Sequence, residues 1–217
     1  MKPSKRHRSW HKLLLANLSS VAMEKKPKVG LFFGSFNPIH VGHLIIANHL
    51  LQQESFLEIW FVISPHNPLK KNTELLPQQH RLAMLEGAIA GNTGFVACTR
   101  EFALPQPSYT HITLDVLKAE NPEKDFVLII GSDNLEVFDQ WKEYAKILST
   151  TSIMVYPRSI ETLHLKNQYK QVQWADAPLI EISSTFIRSA LHRGYNVQYM
   201  LPEKVYRLIQ NNGWYLS

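Results

Sequence analysis

From Lys28 onward the chain alternates short, unbroken apolar runs with longer segments whose apolar residues recur at helical spacing. The runs at 29–33, 59–63, 95–98, 126–130 and 153–156 predict strands, and 172–174 a weaker one. The periodic segments 43–53, 77–90, 108–118, 184–191 and 203–211 predict helices, the second opening on a proline. The first and fourth strands are too continuously apolar for one wet face, so both faces are expected to be covered. Strand, crossover helix and strand in repetition imply an α/β fold, a Rossmann-like doubly wound parallel sheet with helices on both faces and a helical C-terminal part. Ligands of such sheets collect beyond the carboxyl ends of the strands, near the point where strand order reverses. The polar, Gly- and Pro-rich segments 34–43, 64–71, 131–133 and the approach to Ser183 fall there.

Composition narrows this picture without redirecting it. A hydrophobic fraction of 45% over 217 residues can form one packed core and argues against disorder. No apolar run approaches the roughly 18–20 residues that span a bilayer, and no membrane partner is expected. Cys98 is the single cysteine. It excludes an intramolecular disulfide, disfavours a thiolate metal cluster and fits a reducing, cytoplasmic compartment.

The net charge of +5 invites a nucleic-acid reading, but residues 1–28 carry eight Lys or Arg against Glu24 alone. The remainder holds 15 basic and 17 acidic residues. The expected organisation is a basic N-terminal extension, residues 1–27, followed by a single domain, residues 28–217. Three readings of the extension stay open: a non-specific binder of RNA, DNA or anionic lipid, a transit-like presequence, or a stretch upstream of a true start at Met23. The slightly acidic body argues against a wide nucleic-acid surface, and no specific nucleic-acid partner is expected.

Candidate chemistry concentrates in Gly34-Ser35-Phe36-Asn37-Pro38-Ile39-His40-Val41-Gly42-His43, which joins the first strand to the first helix. Glycines let backbone amides approach a phosphate, and a helix N-terminus offers unpaired N–H groups and the positive end of its dipole. His40 and His43, three residues apart, share a face in the first turn. Two imidazoles there can donate hydrogen bonds to a polyphosphate, more strongly if it holds one of them protonated. For either histidine alone, a cap on a Pro-stiffened loop is the competing reading. A zinc site is poorly supported, because His40, His43 and His49 lack a local carboxylate or thiolate partner, and no metal ligand is assigned. The Lys and Ser of a P-loop are absent, and Gly30 does not begin a dinucleotide-binding glycine pattern, so a redox NAD is not indicated.

A second segment, Ile182-Ser183-Ser184-Thr185-Phe186-Ile187-Arg188, places hydroxyls and amides at a helix start with a guanidinium one turn along. That arrangement can hold a triphosphate, although a plain Ser cap beside a surface Arg is the bland alternative.

Together the two segments resemble the signatures of the HxGH nucleotidyltransferase superfamily, whose members join a nucleoside monophosphate unit to a phosphate acceptor and release pyrophosphate. Over residues 28–215 the chain is similar to the bacterial nicotinate-nucleotide adenylyltransferases. The similarity includes Ser64-Pro65-His66-Asn67-Pro68-Leu69-Lys70, Pro107-Ser108-Tyr109-Thr110, Gly131-Ser132-Asp133, Trp141, Pro157-Arg158 and Tyr199-Met200-Leu201-Pro202. Ser35 stands where Thr is frequent and Asn37 where Asp is frequent. The second change removes a negative charge beside the phosphates and argues against a role for this position in organising Mg²⁺.

The resemblance implies transfer of the adenylyl group of ATP to nicotinate mononucleotide, with Mg²⁺ accompanying the ATP. It implies that His40 and His43 contact the ATP phosphates, His43 at the reacting α-phosphate. Ile182, Ser183, Ser184, Thr185 and Arg188 would bind the leaving pyrophosphate. Gly34, Ser35 and Phe36 would supply loop backbone around the nucleotides, and Gly131 and Asp133 would lie against the adenosine. Asn67 and Lys70 would border the acceptor, Trp141 would stack on its pyridine ring, and the Lys142 backbone N–H would receive its carboxylate. Taken alone, Trp141 reads equally as a core aromatic. Two other readings remain: preference for nicotinamide mononucleotide, and a non-catalytic nucleotide-binding protein. Oligomeric state is not legible.

Overall fold

The computed structural model describes residues 25–65 and 74–216. Asn67, Lys70 and residues 1–24 of the basic extension lie outside the described residues.

Six strands form one parallel sheet: β1 (Lys28–Gly34), β2 (Glu58–Ile63), β3 (Phe95–Cys98), β4 (Asp125–Gly131), β5 (Ser152–Tyr156) and β6 (Gln173–Trp174). Their order is β3-β2-β1-β4-β5-β6, with every neighbouring pair parallel. The chain winds outward from β1 to β3, then returns beside β1 and winds the other way. The loops that follow β1 and β4 therefore diverge above adjacent strand ends, and a crevice opens between them.

The helices are α1 (Val41–Gln53), α2 (Gln78–Ile89), α3 (Thr110–Glu120), α4 (Ser132–Leu135), α5 (Tyr144–Thr150), α6 (Ser184–His192) and α7 (Glu203–Asn212). Alternate strand residues feed opposite faces, because successive side chains of a strand point to opposite sides. Phe32, Phe61, Ile129 and Met154 join a core with Leu50 of α1, Met84 of α2, Ile187 of α6 and Val205 of α7. Leu31, Val62, Leu128 and Val155 join a second core with Leu117 of α3, Ile147 of α5 and Phe138 of the 3-10 turn before α5. Both faces are thus covered, as the continuous apolar runs require. Each such Leu, Ile or Phe contributes on the order of 1.5–3 kcal/mol through burial.

Predicted and observed boundaries differ in informative places. The first helix begins at Val41 rather than residue 43, because His40 caps it. The third begins at Thr110 rather than 108, and Ser108 instead donates to a buried carboxylate. Between β4 and β5 the crossover is made of α4, a 3-10 turn at Phe138–Gln140 and α5, each too short to show periodicity in the sequence.

Candidate active site

A cavity of about 590 Å³ occupies the crevice where strand order reverses. The ends of β1 and β4 form its floor through Phe32, Gly34, Ile130 and Gly131. Ser35, Asp133, Trp141 and Lys142 line it as well, so six of the expected site residues meet there. A shallower depression of about 460 Å³ shares Asp133 and is bordered by Arg158 and Glu181. His40, His43 and the 183–188 segment are not on the wall of the larger cavity. They belong to the loop that continues from Ser35 and to the helix docked on it.

In that loop Phe36 adopts a left-handed backbone, φ 45°. A bulky residue there is strained and persists only where packing fixes it. Phe36 is 1% exposed, with its ring edge-on to Phe32, Phe61 and His43 at 6.1, 5.6 and 5.2 Å. Only its backbone can face a ligand. A Cβ on Gly34 would come within 2.8 Å of the Phe36 ring, and one on Gly42 within 2.9 Å of Ile180 and 3.0 Å of His40 Nδ1. These two glycines thus make room for the loop's own side chains, beyond any approach to phosphate.

The two imidazoles stack with centroids 3.7 Å apart, so the expected shared face is observed. They are not equivalent. His40 is buried, and burial, helped by the nearby charge of Arg158, pulls its pKa down to about 3. It is a neutral ring. His43 is half-buried, and its Nδ1 accepts the His40 backbone N–H at 3.3 Å. An accepting ring nitrogen carries no proton, so neutral His43 holds its hydrogen on Nε2.

Helix α6 docks directly on this loop. Ser183 caps it, accepting from the Phe186 N–H at 3.2 Å. Ser184 Oγ donates to the Pro38 carbonyl at 2.9 Å, and Arg188 Nη1 to the Asn37 carbonyl at 2.9 Å. Arg188 Nε also donates to the Glu74 carboxylate at 3.1 Å. Thr185 is exposed, and Ile182 packs on the core. The two sequence segments are therefore joined in space, across about 150 residues, by hydrogen bonds that do not depend on a ligand.

The comparisons with known proteins agree with this geometry. The cytidylyltransferase-like family matches residues 31–190. A protein of Flavobacterium johnsoniae named "Probable nicotinate-nucleotide adenylyltransferase" is 48% identical over 191 residues, covering 87% of this chain and 98% of its own. One of Bacteroides fragilis, with the same name, is 48% identical over 184 residues, covering 85% and 92%. The chain belongs to the nicotinate-nucleotide adenylyltransferase family. Among solved structures, the nicotinic acid mononucleotide adenylyltransferase of Plasmodium falciparum complexed with NaAD shares its fold. Its TM-score is 0.74 at 18% identity, covering 87% of this chain and 97% of that one.

In this family member Trp141 lines the cavity and packs on Phe138 at 5.4 Å. Among the described residues its buried Nε1 has no hydrogen-bond partner. Lys142 is exposed, its ammonium 4.4 Å from the Tyr109 ring centroid. Asp133 is exposed and lies 3.9 Å from Arg158.

Three further residues build the site, and two of them, Arg81 and Glu101, lie outside the sequence motifs. Asn37, 4% exposed, accepts from Tyr215 Oη at 2.5 Å and the Leu76 N–H at 3.2 Å, and donates to the Glu74 carbonyl at 2.9 Å. Its amide hydrogens explain why Asn suits this position: a carboxylate would face that carbonyl with no hydrogen to offer. Arg81 is 1% exposed and donates to the carbonyls of Ser35, Ser64, Pro65 and Leu76. It staples the loop after β1 to the loop after β2. A signal existed, since Arg81 sits on the apolar stripe of α2 with Met84, Leu85 and Ile89. Glu101, also buried, lines the cavity and accepts from Ser108 and Thr113 at 2.8 Å each. Burial pushes its carboxyl above the usual carboxylate range despite those hydroxyls.

Proposed function

We propose that this chain transfers the adenylyl group of ATP to nicotinate mononucleotide, forming nicotinate adenine dinucleotide and pyrophosphate. One observation carries the reading: a cavity lies at the β1–β4 switch point, and from Ser35 on its wall the chain runs into the stacked-histidine loop, onto which the Ser183–Arg188 helix start is bonded. The family to which the chain belongs supports the choice of substrates.

The acceptor phosphate is already ionised at neutral pH, so the reaction needs no protein base and no covalent intermediate. An acceptor oxygen attacks the α-phosphorus, the bond from that phosphorus to the β-bridging oxygen breaks, and pyrophosphate departs. The chain's task is alignment and stabilisation of the charge that gathers around phosphorus. His43 supplies an Nε2–H donor to that charge, with its direction set by the Nδ1 contact to the His40 backbone. His40, buried and neutral, backs the ring and adds a polar contact to the phosphates. The Ile182, Ser183, Ser184 and Thr185 helix start and Arg188 receive the leaving pyrophosphate. Gly34, Ser35 and Phe36 contribute backbone between the two nucleotides, and Gly131 and Asp133 take the adenosine. Trp141 stacks on the pyridine ring, and the Lys142 N–H meets its carboxylate. Asn67 and Lys70 are assigned to the acceptor border from sequence alone.

Among the described residues no three His, Cys, Asp or Glu side chains converge as a metal cage. Mg²⁺ enters this reading as part of the ATP, its ligands phosphate oxygens and water, where it neutralises polyphosphate charge. Among the described residues no helix is long and apolar enough to cross a membrane. The buried thiol of Cys98 suits a reducing, cytoplasmic setting. Residues 28–217 form the catalytic domain, so deletion of residues 1–22 should leave synthesis intact.

Initial rates with ATP and Mg²⁺ on nicotinate and nicotinamide mononucleotides test the proposal. Dinucleotide formation that favours the acid is expected. Failure with both, alongside pyrophosphate release with another phosphate acceptor, would reject the substrate assignment. His43→Ala should lower kcat by about 10²–10³-fold with a smaller change in KM for ATP. Unchanged turnover would remove His43 from the mechanism.

A further inference from the structure

The acceptor site leaves the charged end of Lys142 without a task. Among the described residues lining the switch-point cavity, Lys142 is the single Lys or Arg, while Glu101 and Asp133 are the acids. Tyr109 is the cap residue of α3, and Lys142 lies in the segment between β4 and β5. The ammonium, 4.4 Å from the Tyr109 ring centroid, therefore brings the β4–β5 segment into contact with the start of α3 at the cavity. An aromatic face steers a cation without neutralising it, so the charge stays available to an incoming anion. Among the described residues no carboxylate pairs with Lys142. Trp141, the residue assigned to the pyridine ring, directly precedes it on the same wall.

We propose that the Lys142 side chain is a specificity-determining group, its ammonium meeting the ring carboxylate and so favouring the acid mononucleotide over the amide. The inference rests on the adenylyltransferase reading above. The two acceptors share the pyridinium ring, the ribose and the phosphate, and differ by a carboxylate against a carboxamide. A single backbone N–H, such as that of Lys142, serves an oxygen of either group. A point charge does not, because its attraction to a neutral amide is far weaker. The buried carboxyl of Glu101, held by Ser108 and Thr113 and raised in pKa, opposes an anionic ring substituent less than a free carboxylate would. Asp133, at the start of the same β4–β5 segment, lies 3.9 Å from the Arg158 guanidinium.

The test compares kcat/KM for nicotinate and nicotinamide mononucleotides, at saturating ATP and Mg²⁺, in the parent, Lys142→Met and Lys142→Arg. Methionine keeps much of the stem and removes the charge. Because Lys142 is exposed, both variants should melt with the parent. The acid-over-amide ratio is expected to fall about fivefold in Lys142→Met, the scale of one partly exposed ion pair. It should recover in Lys142→Arg, and the Met effect should shrink at high salt. Equal losses on both acceptors would place the ammonium on their common phosphate and overturn the proposal, as would an unmoved ratio. If the parent used neither acceptor, the adenylyltransferase reading itself would fall and take this inference with it.

Discussion

Arg81 offers the sharpest test of how the site is assembled. Its guanidinium is 1% exposed and bonds four carbonyls, to Ser35 at 2.6 Å, Ser64 at 2.8 Å, Leu76 at 2.9 Å and Pro65 at 3.0 Å. Arg81→Met keeps the stem in the apolar stripe and deletes every donor. A hydrogen bond to a charged group is worth about 1.5–3 kcal/mol net. The four cannot simply be added, because they share one cation. Burying that cation opposes folding, as its pKa, pulled down to about 10 by desolvation, attests. Dismantling a buried charged network of this kind costs about 3–5 kcal/mol. At about 2–4 °C per kcal/mol for a domain of this size, the expected fall in Tm is on the order of 10 °C. Arg81→Lys should lie between parent and Met, since a point charge cannot reach four carbonyls spread over three segments. Thermal unfolding followed by circular dichroism at neutral pH reads both. An Arg81→Met protein melting within about 2 °C of the parent would show that these bonds do not hold the two loops together.

Two further outcomes follow from the same contacts. In the fold, His40 remains neutral to about pH 3, whereas its ordinary value is 6.5. Its contribution is therefore complete above about pH 6.5 and is lost as pH falls towards 3, at up to about 1.4 kcal/mol per pH unit. Urea midpoints between pH 7 and 4 should fall less steeply in His40→Phe; identical slopes would mean that His40 titrates freely in the folded protein. Asn37→Asp sets a carboxylate against the Glu74 carbonyl in place of the 2.9 Å amide donor. It should lose about 2–3 kcal/mol at pH 7 and less at pH 4, where the new side chain is protonated. Chemical denaturation at both pH values measures this, and an Asp variant as stable as the parent at pH 7 would contradict the assigned hydrogen bond.

How much of this was readable beforehand depends on whether the signal is local. A strand buried on both faces needs an unbroken apolar run, so 29–33 and 126–130 announced β1 and β4, and with them a covered parallel sheet. Glycine, histidine and hydroxyl residues around a helix start are likewise local chemistry. The loop before α1 and the start of α6 are legible in the sequence as candidate phosphate-binding segments, whereas their meeting is not. The short α4 and α5 were not, since one turn of helix has no period to detect.

The remainder was decided in three dimensions. The joining of Arg188 to the Asn37 carbonyl, and of the Tyr215 hydroxyl to the Asn37 side chain, spans 151 and 178 residues. Nothing near Arg81 in the chain names its four carbonyl partners, and nothing near Lys142 names Tyr109. The two histidines looked interchangeable as residues. They became a neutral, buried support and a directed Nε2–H donor only when packing desolvated one and oriented the other. Residue types and their spacing determined the fold class and the kind of chemistry, because periodicity and helix-end donors are properties of neighbouring residues. Burial and long-range hydrogen bonding decided which group carries charge, which one points at a ligand and what holds both in place, because desolvation depends on everything packed around a side chain.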